Sequence, residues 1–182
     1  MIACYVSGAG MFAGASTHRF KIAVMLWLEA SGTGYDTRFQ YYRAKFPALT
    51  PAQLARRVCD PIEHHDTDWV SQPDCSKHAA NLTRFVCERD ARFRADARAA
   101  IYCFDEAGLG TGINVMRFLQ ERKAVLGFYA ADSAERRVNL TNVLQLEAEF
   151  PDRVRLAPYD TVETVTARLK EWLPLVANGK TG

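Results

Sequence analysis

Short predicted strands alternate with segments of helical periodicity, and this alternation constrains the fold more than any other feature of the chain. Three of the strands are apolar runs, at residues 2–6, 99–104 and 124–129, and a fourth strand is predicted at residues 153–156. Strands that are apolar throughout are typical of a parallel sheet, because helices cover both of its faces. The sequence therefore predicts a single doubly wound (Rossmann-like) α/β domain with a parallel sheet over residues 1–182.

The helices between these strands are predicted from the spacing of their apolar residues. They span about residues 17–30, 77–95, 139–150 and 160–176, with one more from the loop after the second strand to about residue 122. Ser16 or Thr17 is expected to cap the first helix, and Asp160 with Glu163 to form a capping box at the start of the last.

Residues 35–76 are the least regular part of the chain and are predicted to form a helical insertion. Within them, the run Thr50-Pro51-Ala52-Gln53 combines a cap, a first-turn proline and a capping-box glutamine, which favours a short helix to about Cys59. Potential zinc ligands cluster in or beside the insertion: Cys59, His64, His65, Cys75, His78 and Cys87. Because Cys75-x-x-His78 is only half of a usual ligand set, a loop that merely contains these residues is favoured, and no metal or cofactor is expected.

The charge balance and the cysteine count limit the classes of partner and compartment. With 23 basic and 21 acidic residues, the chain has no charge excess that would favour a nucleic acid polymer or an anionic membrane. The longest apolar stretch, residues 22–28, is far shorter than a membrane span, and no signal peptide is recognisable. Five cysteines, an odd number, argue against a disulfide framework. We therefore expect a cytoplasmic protein whose partner is a small molecule.

Glycine-rich segments follow the first two predicted strands. The first contains Gly8 and Gly10, and the second contains Gly108, Gly110 and Gly112. Since ligands bind at the carboxyl ends of parallel strands, both segments are candidate binding loops in which glycine permits close backbone approach. The alternative is a pair of tight strand-to-helix turns. A dinucleotide site is disfavoured because the acidic residue that would hold a ribose is missing from the next strand end.

Several short motifs of the chain resemble, in their order, the nucleoside 2-deoxyribosyltransferases and the related 2'-deoxynucleoside 5'-phosphate N-hydrolases. The matching segments are residues 8–12 after the first strand, 88–90 on a helix, 108–113 with the helix behind them, 123–126 as the next strand, and 139–140. The resemblance covers a little over half of the chain, and residues 35–76 have no counterpart in it.

The resemblance implies cleavage of an N-glycosidic bond, or deoxyribosyl transfer, through attack of a carboxylate on the anomeric carbon. The family's nucleophilic glutamate falls at Asn114, whose amide is a poor nucleophile. A catalytically impaired nucleotide-binding sensor or regulator is therefore the alternative. Asp105 and Glu106 are candidate replacements for the carboxylate, although solvated loop acids are the simpler interpretation. Asp90 matches the aspartate that handles the sugar or base.

The resemblance also implies the rest of the binding site and an assembly. Tyr5 lies beside the position of the family's tyrosine, which Val6 occupies here. Asn139 matches an asparagine that reaches the sugar in a neighbouring subunit, so a homodimer or larger assembly is expected. The substrate-binding candidates are therefore Tyr5, Ser7, Gly8, Gly10, Gly108, Gly110, Gly112 and Asn139, and the expected ligand is a nucleoside or nucleotide.

Overall fold

A computed structural model describes residues 1–9, 14–59, 87–88, 90–132 and 138–179 of the chain. Several predictions concern residues outside these ranges, namely Gly10, the first half of the helix at 77–95, and the potential zinc ligands between residues 60 and 86.

The described strands form one parallel sheet of five in the order β2-β1-β3-β4-β5. They are β1 (Ile2–Ser7), β2 (Gly34–Asp36), β3 (Ala99–Cys103), β4 (Ala124–Ala130) and β5 (Val154–Tyr159). In the register, Val6 lies beside Ile101 and Ile101 beside Leu126. The predicted doubly wound α/β fold is confirmed.

Helices connect the strands and cover both faces of the sheet. They are α1 (Ala15–Ser31), α2 (Thr37–Lys45), α3 (Pro51–Cys59), α4 (described at residues 87–88 and 90–96), α5 (Leu109–Gln120), α6 (Leu140–Glu149) and α7 (Val162–Ala177). Gly32, in the left-handed conformation, ends α1. None of the described helices has both the length and the apolar character that a membrane span requires.

Alternate side chains of the strands divide the interior into two cores. Val6 and Ile101 face one side and pack with apolar residues of α1, α2, α3 and α7. Tyr5 and Tyr102 face the other side and pack with residues of α4, α5 and α6. The period of two along each strand explains why neighbouring residues enter different cores.

The predicted insertion at residues 35–76 is wrong at its start, because residues 34–36 form the edge strand β2. A three-residue strand has no apolar run of its own, and its pairing with Ile2, Ala3 and Cys4 defines it. The short helix predicted to start at Thr50-Pro51 and run to about Cys59 is confirmed as α3. Its capping box is also present, since Thr50 N donates to Gln53 Oε1 at 3.0 Å and Gln53 N to Thr50 Oγ1 at 3.3 Å.

Two predicted helix caps are wrong. Helix α1 begins one turn earlier, with Gly14 at the cap position, and Thr17 lies buried inside the helix. Helix α7 is capped by Thr161, whose hydroxyl accepts from Thr164 N, while the Asp160 carboxylate accepts from the Thr164 hydroxyl at 2.6 Å. At α7 several adjacent polar residues can cap and the backbone geometry selects one of them, whereas at α1 the Glu106 carboxylate accepts from Gly14 N.

Gly127 in the centre of β4 lies under tightly packed side chains. A Cβ there would fall within 2.6 Å of Leu156 Cδ2 and would also overlap the Phe104 ring. We expect Gly127→Ala to lower the free energy of unfolding by about 1–3 kcal/mol, because overpacking strains a dense core. Urea denaturation measures this change.

Gly110→Ala is the matched control, because a Cβ at Gly110 meets no atom within 4 Å. Inside helix α5 the alanine should raise stability by about 0.5–1 kcal/mol. Equal effects of the two substitutions would contradict the packing described here for β4.

Candidate functional site

The strand order reverses between β1 and β3, so the chain leaves these two strands towards opposite edges of the sheet. Ligands of open α/β sheets bind at such a point, beyond the carboxyl ends of the strands. Ser7 ends β1 beside Tyr102 of β3 and is buried. The two glycine-rich segments meet here, since Thr111 Oγ1 donates to Gly8 O at 3.2 Å. The predicted loops therefore lie together, and their role in binding stays a prediction.

The glycines at this edge fall into two groups with different reasons for lacking a side chain. A Cβ at Gly8 would lie 2.8 Å from Cys103 O, so glycine is required for the close approach of β1 to β3. At Gly108, Gly110 and Gly112 a Cβ would meet no described atom within 4 Å. Helix α5 also begins without a side-chain cap and without an acidic residue in its first turn. Free N–H groups at such a helix N-terminus stabilise an anion or a polar ligand group.

Asp105, a candidate nucleophile, is buried and hydrogen-bonded through both oxygens. Oδ1 accepts from Ala130 N at 2.6 Å, and Oδ2 accepts from the hydroxyl of Tyr159 and from Cys103 Sγ, the latter at 3.4 Å. Burial raises the pKa of the Cys103 thiol to about 12, and the charge of Asp105 adds to the effect. Burial likewise raises the pKa of Tyr159. The structure thus places Asp105 as a connector of β3 to the ends of β4 and β5.

Glu106, the other loop candidate, lies at the N-terminus of α1. Its Oε2 accepts from Gly14 N at 2.5 Å and from Thr17 Oγ1 at 2.8 Å. A carboxylate in this position satisfies free N–H groups and complements the helix dipole. One turn later Lys21 is buried and donates to Ala9 O at 2.8 Å, and burial lowers the pKa of its amine. Glu106 therefore occupies the place where the first helix of such a fold commonly binds an anionic ligand.

A cluster of polar side chains lies on the other side of β1. The Arg38 side chain donates to Val6 O, and its guanidinium carbon lies 4.8 Å from the centre of the Tyr5 ring. Arg38 Nη2 is 3.5 Å from Asp36 Oδ2, which also accepts from Val6 N at 2.7 Å. Tyr5 and Tyr102 have ring centres 6.4 Å apart. The predicted Tyr5 is thus held between an arginine and a second tyrosine.

Asn114, at the position where the resemblance implies a glutamate, is bound to a buried cation. Arg94 Nη1 donates to Asn114 Oδ1 at 2.6 Å, and Arg94 is 4% exposed. In the described part of the chain, Arg94 Nε and the buried hydroxyl of Tyr102 have no hydrogen-bond partner. Burial raises the pKa of Tyr102, against the opposing effect of the arginines. A nucleophilic carboxylate carries a negative charge, whereas Asn114 is neutral and its partner Arg94 is positively charged.

The remaining predicted residues have different environments. Asp90 is half-buried on α4, one turn before Arg94, and its charge acts on Arg38 and Tyr102. Asp90 therefore belongs to the same polar cluster as Arg38 and Tyr102. Asn139 is exposed and caps α6, with its Oδ1 accepting from Thr141 N at 2.9 Å. Capping alone explains an asparagine at this position.

Several of the polar residues that line this edge were not predicted from the sequence. Thr17 and Lys21 lie on the buried face of α1, and Arg94 follows the buried Phe93 on α4. The sequence does carry a signal for these three residues, because each places a charged or hydroxyl-bearing side chain among the apolar positions of a helix. Arg38 had no comparable signal, because the contact of its guanidinium with Tyr5 exists only after β2 joins the sheet.

Metal ligands do not cluster in the part of the chain that the structure describes, where no group of three or more His, Cys, Asp or Glu could hold an ion. Cys4, Cys59, Cys87 and Cys103 are free thiols. Comparison of the chain with protein-family models and with curated proteins finds no match.

If Asp105 is structural, its removal should be seen in stability. Asp105→Ala leaves the Ala130 N–H and the Tyr159 hydroxyl without their acceptor. We expect the free energy of unfolding to fall by about 2–4 kcal/mol, because buried unsatisfied groups are costly. Urea denaturation is the measurement, with the exposed Asp96→Ala as a control expected to change it by less than about 0.5 kcal/mol. An Asp105→Ala protein of unchanged stability would contradict this assignment.

Proposed function

We propose that the chain binds a nucleoside or nucleotide at the carboxyl edge of β1 and β3, and that it acts as a sensor or regulator with at most slow cleavage of the N-glycosidic bond. The observation that carries this proposal is the contact of Arg94 with Asn114 at 2.6 Å. It replaces a carboxylate by a neutral amide and a cation at the position where the resemblance implies the nucleophile.

Binding is supported by the geometry of the edge. The loops after β1 and β3 are joined through Thr111 and Gly8, and a Cβ at Gly108, Gly110 or Gly112 would meet no described atom within 4 Å. The N-terminus of α5, which has no side-chain cap, offers backbone donors at this edge. This combination suits a small polar ligand such as a nucleoside or nucleotide.

Slow turnover is supported by the state of the carboxylates. Cleavage passes through an oxocarbenium-like state, which a nearby anion stabilises. Asp105 and Glu106 are both committed to hydrogen bonds that hold the fold. The cation of Arg94 beside Asn114 would oppose positive charge developing on a sugar placed there. Loss of a nucleophile commonly costs orders of magnitude in rate, about 1.36 kcal/mol of barrier for each tenfold.

An enzyme that cleaves N-glycosidic bonds or transfers deoxyribose is the second candidate, and Asp90 is the observation that favours it. This half-buried carboxylate lies in the polar cluster, where its charge reaches Arg38 and Tyr102. Either function fits the proposed setting, a cytoplasmic homodimer or larger assembly in which Asn139 contributes to a neighbouring site.

A ligand panel separates the two candidates. Nucleosides and 5'-nucleotides of each base are tested by calorimetry for binding and by chromatography for released base. We expect at least one member of the panel to bind, and base release to be slow and nearly unchanged in Asp90→Asn. Removal of a general acid or base from an active enzyme instead lowers the rate about 10²–10⁴-fold.

Asp96→Asn, an exposed change on the same helix α4, is the matched control for this assay. Rapid base release that Asp90→Asn abolishes and Asp96→Asn retains would establish the enzyme and overturn the sensor. If no nucleoside or nucleotide binds at all, both candidates are wrong.

A further inference from the structure

We propose that Arg94, Asn114 and Tyr102 form an oxyanion site that binds a phosphate group of the ligand. This inference rests on the proposed function and refines it, because it makes the ligand a nucleotide rather than a nucleoside. The site lies on the α4 and α5 side of the sheet, next to the carboxyl ends of β1 and β3.

Arg94 is the central residue of this site because no carboxylate among the described residues pairs with its charge. The side chain is 4% exposed, and its one hydrogen bond to another side chain goes to the neutral oxygen of Asn114. Among the residues that the structure describes, no carboxylate lies within ion-pair distance of its guanidinium, and Nε has no partner. A buried arginine is rarely left without an anion, since transfer of an unpaired charge from water is unfavourable.

Arg38 provides the internal comparison. It is also buried in the cluster, but Asp36 lies 3.5 Å from its Nη2 and the Val6 carbonyl accepts a second contact. The charge of Arg38 is therefore compensated by its own neighbour. Arg94 has no comparable neighbour among the described residues, and the half-buried Asp90 lies one turn before it on α4.

The neighbours of Arg94 are suited to an oxyanion. Because Asn114 uses its oxygen to accept from Arg94, the amide NH₂ group remains as a donor on a half-buried side chain. The Tyr102 hydroxyl, fully buried and without a partner in the described chain, is a further donor. A guanidinium with amide and hydroxyl donors is a common arrangement for phosphate, whose oxygens accept several hydrogen bonds.

Glu106 already occupies the usual phosphate position of this fold, which is a second reason to place the oxyanion site at Arg94. Glu106 accepts from Gly14 N and Thr17 Oγ1 at the start of α1, where a phosphate would otherwise bind. A phosphate there would meet a carboxylate at close range. At Arg94 no described carboxylate lies within ion-pair distance, and the nearby Asp90 is one turn away on α4.

Calorimetry of a 5'-nucleotide and of the same nucleoside tests the proposal directly. We expect the wild-type protein to bind the nucleotide at least tenfold more tightly. Asn114→Asp is nearly isosteric and sets a carboxylate against Arg94, so it should abolish this preference. Asn142→Asp on the exposed face of α6 is the matched control and should keep the preference.

Arg94→Gln is the second variant, with exposed Arg92→Gln of the same helix as its control. It should remove the nucleotide preference as well, and circular dichroism verifies that each variant is folded. Inorganic phosphate alone, added in a thermal denaturation assay at constant ionic strength, should raise the Tm of the wild-type protein and not that of Asn114→Asp.

The outcomes distinguish this inference from the proposed function. Equal binding of nucleotide and nucleoside, or a preference that survives in Asn114→Asp and Arg94→Gln, overturns the oxyanion site while nucleoside binding stands. Stabilisation by inorganic phosphate that depends on Asn114, without binding of any nucleoside or nucleotide, supports the oxyanion site and overturns the proposed function.

Discussion

The parallel pairing of β1 with β3 is the constraint on which the rest of the structure depends. Cys4 to Ser7 lie beside Ala99 to Tyr102, although more than half of the chain separates them. The backbones approach so closely that a Cβ at Gly8 would contact Cys103 O at 2.8 Å. This pairing brings the two glycine-rich loops together and divides the helices between the two faces of the sheet.

Hydrogen bonds from side chains complete what the strand pairing begins. Asp36, Asp105 and Glu106 each accept from backbone N–H groups of another element, so the loops at the carboxyl edge are held by carboxylates. Such bonds are stronger than neutral ones and leave few buried donors unsatisfied. Because the oxygens of Asp105 and Glu106 already accept these hydrogen bonds, the two acids next to β3 are poor candidates for a nucleophile.

The polar cluster around Arg94 differs from the rest of the interior in its charge. Elsewhere at this edge a buried charge has a partner of opposite sign or a backbone group, as Lys21 has in Ala9 O. Among the described residues, the side chain of Arg94 has the amide oxygen of Asn114 as its acceptor, and the buried hydroxyl of Tyr102 has no partner. Polar groups left in this state cost stability and are typical of binding sites, where a ligand supplies the missing interaction.

Apolar periodicity and turn residues predicted four of the five strands, the parallel sheet, most of the helices and the edge at which the glycine-rich loops meet. These are local properties of the sequence, so they can be read without knowing what packs against them. The strand β2, the hydrogen bonds of Asp105 and Glu106, and the burial of Arg38 and Arg94 emerge only when the chain is folded. The environment of a charged side chain depends on residues that are distant in the chain, because burial and pairing arise only when separate elements pack together.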